Sequence, residues 1–114
     1  RDGVTWYFLD NEQYFRRPEL YGYMDDGERF GFFSRAVVRM LPHLRFWPEV
    51  IHCNDWQTAL VPIYLKDDSV REERFRSIRT VLSIHNIEYQ AATAARPWGT
   101  CSAWTTAGRM TAPF

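Results

Sequence analysis

The chain has 114 residues, with 14 Lys and Arg against 14 Asp and Glu, so its formal net charge is zero. Hydrophobic residues make up 46% and aromatic residues 17% of it, which supplies a core for one globular domain and excludes a disordered polyelectrolyte. The balanced charge gives no reason to expect nucleic acid or an anionic membrane as partner, and no apolar run reaches the ~18–20 residues of a membrane-spanning helix. Cys53 and Cys101 make no disulfide framework, which favours a reducing cytoplasm.

The first predicted element is a buried strand over residues 4–9, a β-branched and aromatic run that begins almost at Arg1, so we interpret the chain as a fragment. A long irregular stretch rich in Tyr and Phe follows. Residues 25–28 have the Asp-x-x-Glu spacing of a helix start, and apolar residues over 30–44 recur at helical spacing. This pattern predicts an amphipathic helix of about four turns, strained near its end by Pro42.

Two further strands are predicted over residues 50–53 and 80–84. Between them we expect a helix over residues 56–66, capped by Asp55 and kinked at its internal proline, and then a charged, solvated segment over 67–79. The order β-α-β-α-β with nearly continuous apolar strands predicts an α/β fold, a Rossmann-like parallel sheet with flanking helices.

Two similar groups of polar residues follow the last two predicted strands: His52, Asn54 and Asp55 after one, and His85, Asn86 and Glu88 after the other. Ligands bind outside the carboxyl ends of parallel strands, so we expect both groups on one rim of the sheet, with Asp55 beside His85. Imidazole, amide and carboxylate groups favour hydrogen bonds to a polyhydroxylated or phosphorylated ligand.

Simpler interpretations compete with a ligand site. Asp55 serves equally well as a helix N-cap, worth ~1 kcal/mol, and both His52 and Trp56 fit a packed core. The set of His52, Asp55 and His85 has the spacing of no standard metal site, so we expect neither a metal nor a cofactor.

Several stretches carry a resemblance to a known family. Residues 52–66, HCNDWQTALVPIYLK, are similar to the signature of bacterial glycogen synthases and plant starch synthases, and residues 83–90, SIHNIEYQ, resemble their second signature. Residues 21–30 and 10–12 also match. The resemblance covers residues 1–90 almost continuously, and it implies part of the N-terminal catalytic domain of a two-domain GT-B glycosyltransferase.

The resemblance implies retaining transfer of glucose from ADP-glucose to the non-reducing end of an α-1,4-glucan, in glycogen biosynthesis. It assigns catalytic roles to His85 and Asp55, and substrate-binding roles to Asn86, Trp56, Gln57, Gln90 and Tyr21. The family's Lys-Thr-Gly-Gly loop and its C-terminal domain are missing here, and these parts neutralise the diphosphate leaving group. The implied partners are therefore ADP-glucose, the glucan and the missing domain, and we expect the chain alone to be inactive.

Two alternatives remain open. One is a non-catalytic module that binds an α-glucan or a nucleotide, with the aromatic stretch over residues 14–23 as a sugar platform. The other is a different GT-B glycosyltransferase, such as a relative of sucrose synthase. The extended Asp-Trp-Gln-Thr stretch at residues 55–58 favours the glycogen and starch synthases over the second alternative.

Residues 91–114 contain no acidic residue and lack the Gly and the acidic segment that the family has after Gln90. If one nucleotide was lost after the Gln90 codon, the restored frame reads GRYGRETLGDVFGLDDGWADDGT when G+C-rich codons with permissive third bases are chosen; only Trp98, Trp104 and Met110 leave no choice of third base. That peptide begins with the missing Gly and is acidic. We therefore expect residues 91–114 to be an aberrant, frameshifted and disordered tail on a partial domain over residues 1–90.

Overall fold

In the computed structural model, which describes residues 2–88, the chain forms an α/β unit. Its elements in chain order are helix α1 (Glu12–Phe15), helix α2 (Asp26–Leu44), strand β1 (Val50–Asn54), a 3₁₀ turn (Trp56–Thr58), helix α3 (Val61–Asp68), a second 3₁₀ turn (Glu73–Ser77) and strand β2 (Arg79–Ser83). The strands pair in parallel, from Val50 opposite Arg79 to Asn54 opposite Ser83. The predicted parallel α/β class is therefore confirmed. Across this part of the chain, none of the helices combines the length and the apolar character needed to cross a membrane.

The core lies between α2, β1, α3 and the second 3₁₀ turn. Its buried hydrophobic residues are Val38, Leu41, Cys53, Val61, Leu65, Phe75 and Ile78. The thiol of Cys53 is free, and burial raises the pKa of this group. These four elements thus share a single small core, which holds β1 against the two longer helices.

Helix α2 buries small residues at the centre of its inner face. Gly31 and Ser34 are buried, whereas Phe30 and Phe33 are only half-buried. A Cβ placed on Gly31 would lie 3.8 Å from the side chain of Leu60, an ordinary van der Waals distance. Hydrophobic spacing therefore predicted the helix correctly but set its buried stripe about one residue out of position.

The end of α2 is closed by a left-handed residue. Arg45 has φ 52° and donates its N–H to the carbonyl of Pro42 at 3.1 Å, while Phe46 donates to Leu41 at 3.0 Å. This pair of bonds is a Schellman motif, which satisfies carbonyls that the end of the helix leaves free. The helix runs only to Leu44, two residues past the proline that was expected to strain it.

The predicted strand over residues 4–9 is wrong. These residues form no ladder with β1 or β2, and the side chains of Trp6 and Phe8 are 66% and 88% exposed. A strand exists only where a neighbour accepts and donates its backbone hydrogen bonds, and within residues 2–88 the two strands pair only with each other. The apolar run therefore has the sequence pattern of a strand but does not join the sheet of β1 and β2.

The helix predicted over residues 56–66 is divided into two elements. The 3₁₀ turn Trp56–Thr58 comes first, and α3 then begins at Val61. Pro62 lies in the first turn of α3, where its missing N–H has no intrahelical acceptor to lose, so it starts the helix rather than kinking it.

Asp68 corrects the expectation that residues 67–79 are a solvated face. Its side chain is buried, with one carboxylate oxygen 3.1 Å from Arg35 and the other 3.6 Å from Arg39. Both arginines come from α2, so this ion-pair cluster fastens the end of α3 to the middle of α2. Buried carboxylates are retained where such partners compensate their charge.

Candidate functional site

The two polar groups meet at the carboxyl ends of β1 and β2, as the sequence predicts. The N–H of Asp55 donates to the carbonyl of Ser83 at 2.8 Å, and Oδ1 of Asp55 accepts from the N–H of His85 at 2.7 Å. A hydrogen bond to a carboxylate is roughly twice as strong as a neutral one. Asp55 therefore extends the pairing of the strands by one residue and clamps the loop after β2 to the loop after β1.

The imidazole of His85 is held at a second point. Its Nε2 lies 3.0 Å from Oδ1 of Asn54, the last residue of β1, while the ring as a whole stays exposed. His52, earlier in β1, makes a similar contact across the sheet: its Nε2 lies 2.7 Å from the hydroxyl of Ser83 in β2. His52 is exposed, which corrects its interpretation as a core residue. Both imidazoles are thus oriented by polar neighbours on the opposite strand.

The backbone of Asp55 is strained. Its φ of 57° and ψ of −177° lie in a region that is essentially restricted to glycine and costs ~1–3 kcal/mol. The N-cap interpretation is wrong, because the Asp55 side chain makes no cap hydrogen bond to the 3₁₀ turn. Thr58 instead turns its hydroxyl back to the carbonyl of Asn54 at 2.8 Å. The strained conformation is what aims both the N–H and the carboxylate of Asp55 at the end of β2.

Asn86 shapes the loop after β2. Its Oδ1 accepts from the N–H of Glu88 at 3.1 Å, which is the hydrogen bond of an Asx turn. The residue is exposed and lies next to His85 in the chain. Gln90, the last predicted site residue of this loop, lies outside the described residues.

Trp56 links the clamp to a set of aromatic rings. Its ring centroid lies 4.9 Å from that of Phe30 and 6.3 Å from that of Tyr21, both edge-on at 82°. The main-chain oxygen of Gln57 accepts from the hydroxyl of Ser34 at 3.3 Å, which fixes the 3₁₀ turn on α2. The structure therefore brings three predicted binding residues together, and it does so directly beside Asp55.

An open groove of about 540 Å³ adjoins these rings. Tyr21, Phe30 and Gln57 line it together with further aromatic and aliphatic side chains and with Arg17. Arg17 forms an ion pair of 2.7 Å with Asp25, which lowers the pKa of this carboxyl. Aromatic and aliphatic walls with a few polar groups are typical of small-molecule sites.

Arg29 is a component of the site that sequence reasoning missed. Its side chain is 2% exposed, donates to the carboxylate of Asp26, and donates to the carbonyls of Tyr14 at 2.7 Å and Leu20 at 3.3 Å. The guanidinium also lies 5.0 Å from the ring centroid of Tyr23. Arg29 lies off the apolar stripe over residues 30–44 that predicts the helix, so the pattern indicates no buried role for it. The one available indication was its position, one turn after an acidic helix start.

Comparison with known proteins gives consistent matches. A family model described as starch synthase catalytic domain matches residues 1–107. The glycogen synthase of Lactococcus lactis subsp. lactis is 56% identical over 90 residues, which are 79% of this chain and 19% of that protein. The glycogen synthase of Geobacillus thermodenitrificans is 53% identical over 89 residues, or 78% of this chain and 18% of that protein. The chain therefore spans about a fifth of the length of these curated relatives.

A solved structure matches as well. The catalytic domain of starch synthase IV from Arabidopsis thaliana, bound to ADP and acarbose, is similar with a TM-score of 0.57 and 41% sequence identity. The match covers 65% of this chain and 15% of that one. Fold and sequence thus agree on the same group of proteins.

Proposed function

Since this chain belongs to the family of starch synthase catalytic domains, we propose that it is part of the N-terminal catalytic domain of a glycogen synthase. Its α/β fold is that of the GT-B glycosyltransferases. The reaction is retaining transfer of glucose from ADP-glucose to the non-reducing end of an α-1,4-glucan. The observation that carries the proposal is the clamp of Asp55 on His85 at the carboxyl ends of two parallel strands.

His85 and Asp55 are proposed to act on the transferred glucose. Transfer passes through an oxocarbenium-like centre, which hydrogen bonds fixed in advance stabilise most effectively. The exposed His85 ring is anchored through its backbone N–H and through Nε2, so it presents its remaining edge in one orientation. In this proposal Asp55 uses one carboxylate oxygen on His85 and keeps the other for a sugar hydroxyl, and the exposed Asn86, next to His85 in the chain, adds an amide.

Tyr21, Trp56 and Gln57 are proposed to contact the glucan. Tyr21 is 46% exposed while its ring packs edge-on against Trp56, so the pair offers an aromatic surface that is held rigid on one side. Stacking on such surfaces suits the apolar faces of glucose units, and the Gln57 side chain supplies a polar contact in the adjoining groove. Gln90 belongs to the same proposal through its place in the second signature.

In this proposal the reaction needs no cofactor, and its partners are ADP-glucose, the glucan and the remaining parts of the enzyme. Basic groups of those parts neutralise the diphosphate, so the chain alone is inactive. Cys53 is a free thiol, which suits a cytoplasmic location. The zero net charge leaves nucleic acid and anionic membranes outside the proposal.

A transfer assay on the full-length enzyme tests this function. We expect His85→Ala to lower turnover by roughly 10²-fold or more, the scale of losing a preorganised hydrogen bond to the transition state. The matched control is His43→Ala, which changes an exposed histidine in the last turn of α2. Near-normal glucose transfer by the His85 variant would contradict the role assigned to it. Glucan binding without any transfer by the wild type would favour the non-catalytic module.

We also propose that residues 91–114 come from a shifted reading frame. The alignments to glycogen synthases extend over 89 or 90 residues of this chain, although the family model matches through residue 107. The structure of residues 91–114 lies outside the described residues. Sequencing the gene decides the matter: inserting one nucleotide after the Gln90 codon should open a frame that encodes the acidic continuation. A stop codon or an unrelated peptide in that frame would contradict the frameshift.

A further inference from the structure

The ion pair of Arg29 and Asp26 lies beneath the segment that carries Tyr21. Both side chains are buried, at 2% and 8% exposure of the residue, although the groove beside them is open. A buried ion pair contributes little net stability compared with apolar residues of the same volume, because desolvation of the charges offsets their attraction. The hydrogen bonds that this ion pair makes to the backbone therefore indicate a role other than stabilisation.

Asp26 fixes the backbone on one side of Tyr21. Its Oδ2 accepts from the N–H of Gly22 and, at 3.0 Å, from the N–H of Tyr23. Gly22 has φ +104°, a conformation that glycine adopts without strain, so the chain can turn sharply directly after Tyr21. The carboxylate thus holds the turn by two hydrogen bonds to consecutive amides.

Arg29 fixes the backbone on the other side. Its guanidinium donates to the carbonyl of Leu20, at 3.3 Å, and its Nε donates to the carbonyl of Tyr14. The next residue of α2, Phe30, packs on Trp56 with ring centroids 4.9 Å apart. One planar group therefore ties the residue before Tyr21 to the same helical turn that supports Trp56.

We infer that Arg29 and Asp26 are positioning residues that hold Tyr21 edge-on against Trp56, and so set the aromatic wall that contacts the glucan. The glucan part of this inference rests on the proposed function. The positioning part rests on the contacts alone. Neither side chain needs to touch the substrate, because each acts through the backbone of residues 20–23.

The experiment uses the 114-residue chain with labelled aromatic residues, and it records the NMR cross-peak between the rings of Tyr21 and Trp56. Arg29→Lys keeps the charge but lacks the planar fork, and Asp26→Asn keeps the shape but loses the charge. We expect both variants to lose the cross-peak, and Arg29→Ala to lose it as well where it still folds. Retention of a wild-type cross-peak in the Lys and Asn variants would overturn the inference.

Arg35→Ala is the matched control. It removes the ion pairs that another arginine of α2 makes with Asp67 and with the buried carboxylate of Asp68, and the Arg35 side chain is 25% exposed. We expect this variant to keep the cross-peak between Tyr21 and Trp56 even though it lowers stability. If Arg35→Ala abolishes the cross-peak to the same extent, the effect is one of general destabilisation and the positioning role is wrong.

Titration with maltoheptaose separates the two parts. In the wild type we expect the indole N–H resonance of Trp56 to shift, and in Arg29→Lys we expect binding about tenfold weaker, which corresponds to ~1.4 kcal/mol. A wild-type chain that ignores maltoheptaose would contradict the glucan contact of the proposed function and the glucan part of the inference. The cross-peak between Tyr21 and Trp56 would then be the test of the positioning part.

Discussion

Strain and hydrogen bonding at Asp55 can be separated by three substitutions at this position. Asp55→Ala removes the carboxylate that accepts from the N–H of His85 and keeps a Cβ in a backbone region suited to glycine. Asp55→Gly removes the same carboxylate and also relieves the backbone strain. Asp55→Asn keeps an acceptor oxygen but removes the charge.

The magnitudes follow from the two contributions. A hydrogen bond to a charged group contributes ~1.5–3 kcal/mol, and the exposed N–H of His85 can turn to water, so we expect Asp55→Ala to lose about 1.5–2 kcal/mol. Asp55→Gly loses the same bond, regains ~1–3 kcal/mol of strain and gives up ~0.5–1 kcal/mol of backbone entropy. The Gly variant should therefore be more stable than the Ala variant by ~1–2 kcal/mol, with Asn about 1 kcal/mol below wild type.

Urea unfolding followed by tryptophan fluorescence measures these differences. With a slope of ~1–2 kcal/mol/M for a chain of this size, the midpoints of the Ala and Gly variants should differ by roughly 1 M at equal slope. Ala59 provides the matched control, because its φ of −62° is ordinary and Ala59→Gly should lower stability. Equal midpoints for the Ala and Gly variants of Asp55 would refute the strained backbone.

Three other predictions concern α1 and α2. Burial and the hydrogen bond to Glu28 raise the pKa of Tyr14 to about 12. The neutral phenol therefore stabilises the fold fully below pH ~10, and this stabilisation is lost as the pH rises towards 12. In an absorbance titration, Tyr14→Phe should remove one tyrosine that ionises late. Gly31→Ala should raise the free energy of unfolding by up to ~1 kcal/mol, since its Cβ finds only ordinary contacts, and a destabilised variant would mean the helices cannot accommodate it. Arg45→Gly should add ~0.5–1 kcal/mol to the free energy of unfolding by relieving a φ of 52°, and a lower urea midpoint than wild type would contradict this.

The sequence predicted the elements correctly where the local pattern and the tertiary packing favour the same secondary structure. Strands β1 and β2 and helix α2 lie within one or two residues of their predicted ranges, and the meeting of Asp55 and His85 followed from the rule for parallel strands. Residues 4–9 show the limit of that reasoning. Their pattern is that of a strand, but a strand also needs hydrogen bonds to a neighbouring strand, which the local sequence does not specify.

The features that escaped prediction are those in which a residue departs from its usual role. Arg29 is charged and buried, because its guanidinium donates to the carbonyls of Tyr14 and Leu20. These carbonyls lie before α2, outside the helical pattern that predicted α2. Asp55 follows the rule for a helix cap, yet it adopts a glycine-like conformation to reach the other strand. Local rules fail most often at functional sites, where strain is retained for the geometry it provides. That these two failures adjoin the same aromatic rings agrees with the proposed location of the site.

The clamp at Asp55 has a mechanical consequence. Two hydrogen bonds, of 2.8 and 2.7 Å, join loops that are separated by 30 residues in the chain. Trp56 follows Asp55 directly, so a displacement of the loop at His85 is transmitted to the indole through a single, conformationally restricted residue. The positions of the His85 imidazole and the Trp56 indole are therefore linked through the backbone of Asp55. In the proposed enzyme, the register between the two substrates is set by this connection and not by two independent loops.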